Sequence, residues 1–242
     1  MDAKNFKYLI LFNILGALLF LSWLVPENHG FWFNIDKNIF YFFNNMLTES
    51  KAFMYFVSFI NLRGFDIIAF IGMLIIFYDY FSKKDLQGKR FLFCVGITML
   101  LTAILVKQVL AFFPIDRTSP TIFFKETMHL PVNLISELSG WNTKCRSSDC
   151  FPGDHGIMLL IFSSYMWRYC NFEAFKKCLI VFIIFSLPRI MGGAHWFTDV
   201  VVGSTSTNLL LTSWILLTPA SDKVVSWLEK TLPLGWINKY CK

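Results

Sequence analysis

The sequence is poor in charge and lacks the patterns that mark nucleic-acid-binding and zinc-binding proteins. Asp, Glu, Lys and Arg make up 16% of the 242 residues. A basic patch interleaved with aromatic residues is absent, so the net charge of +6 does not indicate nucleic acid as a partner. No CxxC pair or Cys/His zinc spacing occurs, and no internal repeat or low-complexity linker divides the chain.

Apolar residues dominate what is present. The chain is 55% hydrophobic and 18% aromatic, with a mean hydropathy of +0.53. Soluble domains rarely have this composition, so we expect a polytopic membrane protein in which residues 1–242 form a single membrane-embedded domain.

The apolar runs predict an all-α membrane helix bundle with six transmembrane helices. These are expected at residues 8–25, 65–81, 91–113, 156–167, 178–191 and 196–217. The aromatic, amphipathic stretch 31–46 predicts an interfacial helix along the outer membrane surface. Residues 52–62 are apolar but short, and residues 114–151 form a long polar loop.

Basic residues set the predicted orientation. Thirteen of the 22 Lys and Arg residues fall in the N-terminal segment, in two short loops and in the tail from Asp222 onward. Cytoplasmic segments carry such an excess, which places both termini in the cytoplasm. The tail pieces WLEK and LGWINKY are expected along the inner surface. The remaining polar segments then converge on the outer face.

Three polar clusters share that outer face and interrupt an otherwise apolar sequence. Intramembrane or juxtamembrane charges of this kind are costly and usually functional. The clusters are KQVLAFFPIDRTSP with Lys107 and Arg117, FPGDHG with Gly153, Asp154 and His155, and SLPRIMGGAHWFTDVVVG with Arg189, His195 and Asp199.

These residue types fit phosphoryl transfer. His195 is the predicted nucleophile, because Asp199 four residues later shares its helical face and can orient the imidazole. His155 is then the general acid that protonates the leaving oxygen. Lys107, Arg117 and Arg189 are predicted to neutralise a phosphate, and the N–H groups from Gly153 to His155 would add an anion site at a helix N-terminus.

The three clusters resemble the three-part signature of the type 2 phosphatidic acid phosphatase superfamily. The third part matches closely as Pro188-Arg189-x5-His195-x3-Asp199, with Pro188 in place of a leading Ser. The second part reads Pro152-Gly153-Asp154-His155, without the usual Ser. The resemblance implies that His195 forms a phosphohistidine, that His155 is the acid, and that no metal or other cofactor is needed.

Within that superfamily the chain most resembles the bacterial inner-membrane lipid A phosphotransferases. That branch implies undecaprenyl diphosphate as phosphoryl donor and the 1-phosphate of lipid A (lipopolysaccharide) as acceptor, with the active site facing the periplasm. Hydrolysis of undecaprenyl diphosphate or another lipid phosphate is the alternative within the enzyme class. A second alternative is a metal-dependent enzyme, with Asp154, His155, His195 and Asp199 as the metal ligands. The non-enzyme alternative is a membrane transporter.

Some of these residues also have plain structural explanations. Lys107 is equally well explained as a side chain that reaches the membrane interface. Asp154 is equally well explained as a helix cap. Cys145 and Cys150 flank a short polar loop and could pair as a disulfide if that loop lies outside the cytoplasm. The other four cysteines are expected to behave as small apolar residues.

Overall fold

Helices account for all of the regular secondary structure that a computed structural model describes, over residues 3–232. The longer helices are α1 (Ala3–Leu24), α2 (Phe31–Glu49), α3 (Lys51–Ile60), α4 (Phe65–Ser82), α5 (Leu86–Ala111), α8 (Asp154–Tyr169) and α9 (Phe172–Met191). The loop after α5 holds the short α6 (Pro120–Ile122) and α7 (Ile135–Ser139). The last two helices are α10 (Asp199–Leu217), which includes π-helical turns, and α11 (Ala220–Thr231). The predicted all-α class is confirmed for these residues, which contain no strand. The predicted tail segment LGWINKY and Cys241 lie outside the described residues.

Four helices of the described chain are long and apolar enough to cross a membrane: Asn5–Leu24, Phe65–Ser82, Leu86–Ala111 and Asp199–Leu217. These four candidate spans coincide with four of the six predicted ones. The other two predicted spans fall on α8, which has 16 residues, and on α9. Charged residues near both ends of α9 shorten its uninterrupted apolar stretch.

Capping residues move several helix starts away from the predicted ones. The Asp85 carboxylate accepts a hydrogen bond from the N–H of Gly88, so α5 begins inside the predicted basic loop. The Asn171 side chain accepts from the N–H of Ala174 and starts α9 well before the predicted residue 178. Asn and Asp are favoured at this position because they satisfy an otherwise unpaired helical N–H.

The helix α8 lies at the centre of the bundle and packs against α5, α9 and α10. Its buried side chains include Ile157, Ile161 and Tyr165, which join a core with Val106 of α5 and Leu216 of α10. Because α8 begins at Asp154 and α10 begins at Asp199, this packing brings two of the three predicted polar clusters together.

The helix α2 buries one side, at Asp36, Phe40, Asn44 and Leu47. This spacing places all four on one helical face. The face is not purely apolar, since Asp36 is only 1% exposed. The helix therefore carries a carboxylate into the protein, and its predicted position along the membrane surface stays a prediction.

Candidate active site

A tight turn between α9 and α10 positions His195. The N–H groups of Ala194 and His195 both donate to the carbonyl oxygen of Arg189, which closes the end of α9. Gly193 has a φ of 73°, and a Cβ there would come within 2.6 Å of a methyl carbon of Thr121. Only glycine fits both the backbone conformation and the space, so the turn is fixed.

His195 is 5% exposed, and its Nδ1 faces two oxygen atoms. The carbonyl oxygen of Cys150 lies 3.2 Å away and Oδ2 of Asp199 lies 3.4 Å away. Since both are acceptors, they favour the tautomer with its proton on Nδ1 and its lone pair on Nε2. Nε2 makes no hydrogen bond to any residue from 3 to 232. The ring therefore has the tautomer that a nucleophilic histidine requires.

Asp199 belongs to a buried network centred on Arg117. Arg117 donates from Nη1 to Oδ1 of Asp199 (2.5 Å) and from Nη2 to Oδ2 of Asp36 (2.7 Å). The guanidinium also lies between the rings of Trp23 and Trp196, at 5.1 and 4.7 Å. Arg117, which the sequence predicts to bind phosphate, reaches the site but directs both terminal nitrogens at carboxylates.

Thr198 closes this network. Its hydroxyl accepts from Nη1 of Arg117 (2.8 Å) and donates to Oδ2 of Asp36 (2.6 Å), while its N–H donates to the other oxygen of Asp36 (2.9 Å). Asp199 also accepts from the N–H of Trp196 (2.7 Å). Buried charges are tolerated when they are paired and fully hydrogen-bonded, as here.

The second predicted histidine lies between two carboxylates. Nδ1 of His155 donates to Oδ1 of Asp154 (2.8 Å), and Nε2 lies 3.3 Å from Oδ1 of Asp66. The hydrogen bond to Asp154 raises the pKa of His155 above its usual value, although partial burial opposes this. The same hydrogen bond lowers the pKa of Asp154. His155 is thus favoured as the protonated partner, which suits a general acid.

Arg189 joins this second group. It is 3% exposed and donates from Nη2 to both oxygens of Asp66, at 2.5 and 2.7 Å. Its other terminal nitrogen, Nη1, is buried and has no hydrogen-bond partner within the described part of the chain. A buried guanidinium N–H without a protein partner is unusual, and this nitrogen can donate to a bound anion.

Gly153 connects the two groups. Its N–H donates to the carbonyl oxygen of Asp199 (2.9 Å), and its own carbonyl accepts from the hydroxyl of Ser204 (2.7 Å). The N–H of His155 likewise donates to the side chain of Asp154. These N–H groups, which the sequence predicts to bind phosphate, therefore join parts of the site to each other in this structure.

Lys107 is not brought into the site. Its side chain is exposed on α5 and makes no hydrogen bond or ion pair with any other residue between 3 and 232. Its predicted contact with phosphate stays a prediction.

The disulfide between Cys145 and Cys150 is not formed, because both residues are free thiols. The Cys145 sulfur lies 3.3 Å from the hydroxyl of Ser136, and Cys150 donates to the carbonyl oxygen of Ala194 at 3.3 Å. Each thiol is therefore buried in its own surroundings, and the short loop between them does not bring the sulfurs together.

The candidate metal ligands that the structure groups together differ from those that the sequence predicts. Cys150, His195 and Asp199 present ligand atoms within 4.8 Å of one another. Burial raises the pKa of the Cys150 thiol to about 12, which keeps it in the poorly ligating protonated form. Arg117 already neutralises Asp199. These residues do not fit a divalent cation.

Two site residues, Asp36 and Asp66, are missing from the predicted clusters. Both lie in the N-terminal part of the chain, far in sequence from the arginines that they bind. The sequence signal that could identify Asp36 and Asp66 is the presence of a carboxylate in or beside an apolar helix, which is uncommon unless the carboxylate is paired or functional. The spacing of residues along the chain does not identify Arg117 and Arg189 as their partners.

The site is thus a pair of histidines, each next to a carboxylate, with two buried arginines. The family model of the PAP2 superfamily matches residues 87–222, and the chain belongs to that superfamily. It is an enzyme of the lipid phosphatase and phosphotransferase class, which confirms the predicted resemblance.

A particular relative extends the match to nearly the whole chain. Lipid A 1-diphosphate synthase from Escherichia coli (strain K12) is 46% identical over 231 residues, which cover 95% of each chain. No solved structure is significantly similar to the chain. The matched superfamily region includes both histidines but neither Asp36 nor Asp66.

Proposed function

We propose that the chain transfers the terminal phosphoryl group of undecaprenyl diphosphate to the 1-phosphate of lipid A through a phosphohistidine at His195. The observation that carries the proposal is the setting of His195, whose Nδ1 faces two acceptors while Nε2 has no hydrogen-bond partner among residues 3–232. The name of the relative supports lipid A as the acceptor, because the relative is 46% identical to this chain over 95% of its length.

In the first step the lone pair on Nε2 of His195 attacks the terminal phosphorus. The N–P bond forms while the bond from phosphorus to the bridging oxygen breaks. His155 gives its proton to the departing oxygen, so undecaprenyl phosphate leaves. Asp199 stabilises the positive charge that develops on the imidazole, as its position 3.4 Å from Nδ1 allows.

In the second step an oxygen of the lipid A 1-phosphate attacks the phosphohistidine. The N–P bond breaks, His155 takes back one proton from the acceptor phosphate and is thereby reprotonated, and lipid A 1-diphosphate leaves. Arg189 can bind a phosphate oxygen in both steps through its unpartnered Nη1. No metal or other cofactor takes part in this scheme.

The discriminating experiment supplies purified protein in detergent with lipid A and undecaprenyl diphosphate labelled at its terminal phosphorus. Transfer predicts label in lipid A, whereas the alternative, hydrolysis, predicts label only as free phosphate. A transporter predicts no chemical change at all. His129→Asn is the matched histidine control, because His129 is exposed and Asn tolerates its positive φ of 53°.

We further propose that the chain is one membrane domain of six spans in the bacterial inner membrane, with both termini cytoplasmic and the active site facing the periplasm. The central packing of α8 against α9 supports their membrane position. An impermeant maleimide applied to intact spheroplasts should label Ser148→Cys and spare Lys177→Cys, both exposed positions. The reverse pattern would contradict this orientation.

A further inference from the structure

The carboxylate of Asp66 lies where two groups of the proposed reaction meet. Both of its oxygens accept from Nη2 of Arg189, and Oδ1 also lies 3.3 Å from Nε2 of His155. The proposed mechanism assigns the first group to phosphate binding and the second to protonation of a phosphate oxygen. A single oxygen of Asp66 thus touches both groups that a bound phosphate would have to touch.

The two partners of this ion pair differ in their access to water. The Asp66 side chain is 40% exposed, whereas the Arg189 side chain is 4% exposed. The exposed carboxylate can leave the pair and become hydrated at small cost in free energy. The buried guanidinium cannot reach water, so loss of its anion would leave an uncompensated buried charge. The pair therefore favours exchange of one anion for another rather than an empty arginine.

The helix that carries Asp66 also permits movement. Asp66 is in the first turn of α4, and Ala69 is the single buried residue within that helix, Phe65–Ser82. Arg189, by contrast, is in the last turn of α9, beside buried Pro188 and Ile190. The carboxylate can change its rotamer without disturbing the core that holds the arginine.

We propose that Asp66 is an internal competitor, which occupies the phosphate position of the resting enzyme and leaves it when a phosphate dianion binds. The inference rests on the proposed function. Asp66 keeps Arg189 neutralised until substrate arrives, and the substrate must bind more tightly than the carboxylate to displace it. Nη1 of Arg189, which Asp66 does not reach, then becomes an additional donor to the phosphate.

The test measures binding of inorganic phosphate to the full-length protein in detergent by isothermal titration calorimetry, without turnover. Asp66→Asn and Asp66→Ser remove the competing charge, so each should lower the Kd for phosphate by roughly three- to ten-fold. Asp66→Glu retains the charge and should stay within about two-fold of the unaltered protein. Asp79→Asn, at the exposed other end of α4, is the matched control and should have no effect.

The sign of the change decides the question. A permanent structural role for Asp66 predicts weaker phosphate binding in the Asn and Ser variants, because Arg189 would lose its support. Unchanged or weaker binding in folded variants would therefore overturn the inference. The proposed function is tested separately, since it fails if the unaltered protein moves no label from undecaprenyl diphosphate to lipid A, whatever its affinity for phosphate.

Discussion

Asp36→Asn tests whether the buried Arg117 network stabilises the fold. The Asp36 side chain is 0% exposed and accepts three hydrogen bonds, from Nη2 of Arg117 and from the N–H and hydroxyl of Thr198. Asparagine has one acceptor oxygen, and its amide nitrogen must face one of these donors. The substitution thus removes a charge-assisted hydrogen bond and leaves a buried donor without an acceptor.

The magnitude follows from these two losses. A hydrogen bond to a charged group contributes roughly 1.5–3 kcal/mol, and an unsatisfied buried donor costs roughly 1–3 kcal/mol. Arg117 keeps its contact with Asp199, so the upper limit of about 5 kcal/mol for an abandoned buried charge is not reached. We expect a loss of about 3 kcal/mol, or a Tm lower by roughly 6–12 °C for a chain of this length.

Thermal unfolding followed by tryptophan fluorescence is a suitable assay, because Trp23 and Trp196 contact the Arg117 guanidinium. Asp116→Asn is the matched control. Asp116 directly precedes Arg117 in the sequence and is exposed, so removal of its charge should leave Tm unchanged. A Tm for Asp36→Asn within about 2 °C of the unaltered protein would refute the reasoning, since it would mean that Asp36 does not compensate the arginine.

Three further outcomes are expected. His195→Ala should abolish both phosphoryl transfer and trapping of label on the protein, because the nucleophilic nitrogen is lost. Asp154→Asn should move the alkaline limb of the pH–rate profile to lower pH: Asp154 raises the pKa of His155, so its removal deprotonates the acid earlier as pH rises. Mass spectrometry under non-reducing conditions should find Cys145 and Cys150 free, and Cys150, whose thiol pKa is about 12, should resist maleimide until the protein is denatured.

Each of these has its own contrary result. Label that persists on the His195→Ala protein would place the nucleophile elsewhere. An unshifted profile in Asp154→Asn, matching that of the exposed loop control Asp149→Asn, would show that the Asp154 contact does not set the acid. A mass lower by two hydrogens in the peptide pair would demonstrate a disulfide and contradict the separate environments of the two thiols.

Local chemistry is readable from the sequence where the residues that cooperate are close along the chain. His195 and Asp199 are four residues apart, and the structure places them 3.4 Å from each other. The apolar runs likewise predict six spans, and four of them coincide with membrane-length helices, because hydrophobicity and helix length are properties of a single segment. The resemblance to the superfamily rests on short motifs of the same kind, and membership is confirmed.

The start of each helix is also local information, but hydropathy predicts it too late for α5 and α9. Asp85 and Asn171 cap α5 and α9 within polar segments that hydropathy assigns to loops. A capping side chain satisfies one backbone N–H whatever the polarity of its neighbours. Hydropathy marks where a helix becomes apolar, whereas the capping residue marks where it begins.

The tertiary structure alone decided which charges are paired. Asp36 and Asp66 lie 81 and 123 residues from Arg117 and Arg189, and no spacing rule connects positions so far apart. Their meeting depends on how α2 and α4 pack beside α9 and the start of α10. A buried charge requires a partner of opposite charge. The sequence by itself indicates that Arg117 and Arg189 bind anions. Only the packing of the helices shows that the carboxylates of Asp36 and Asp66 are among those anions.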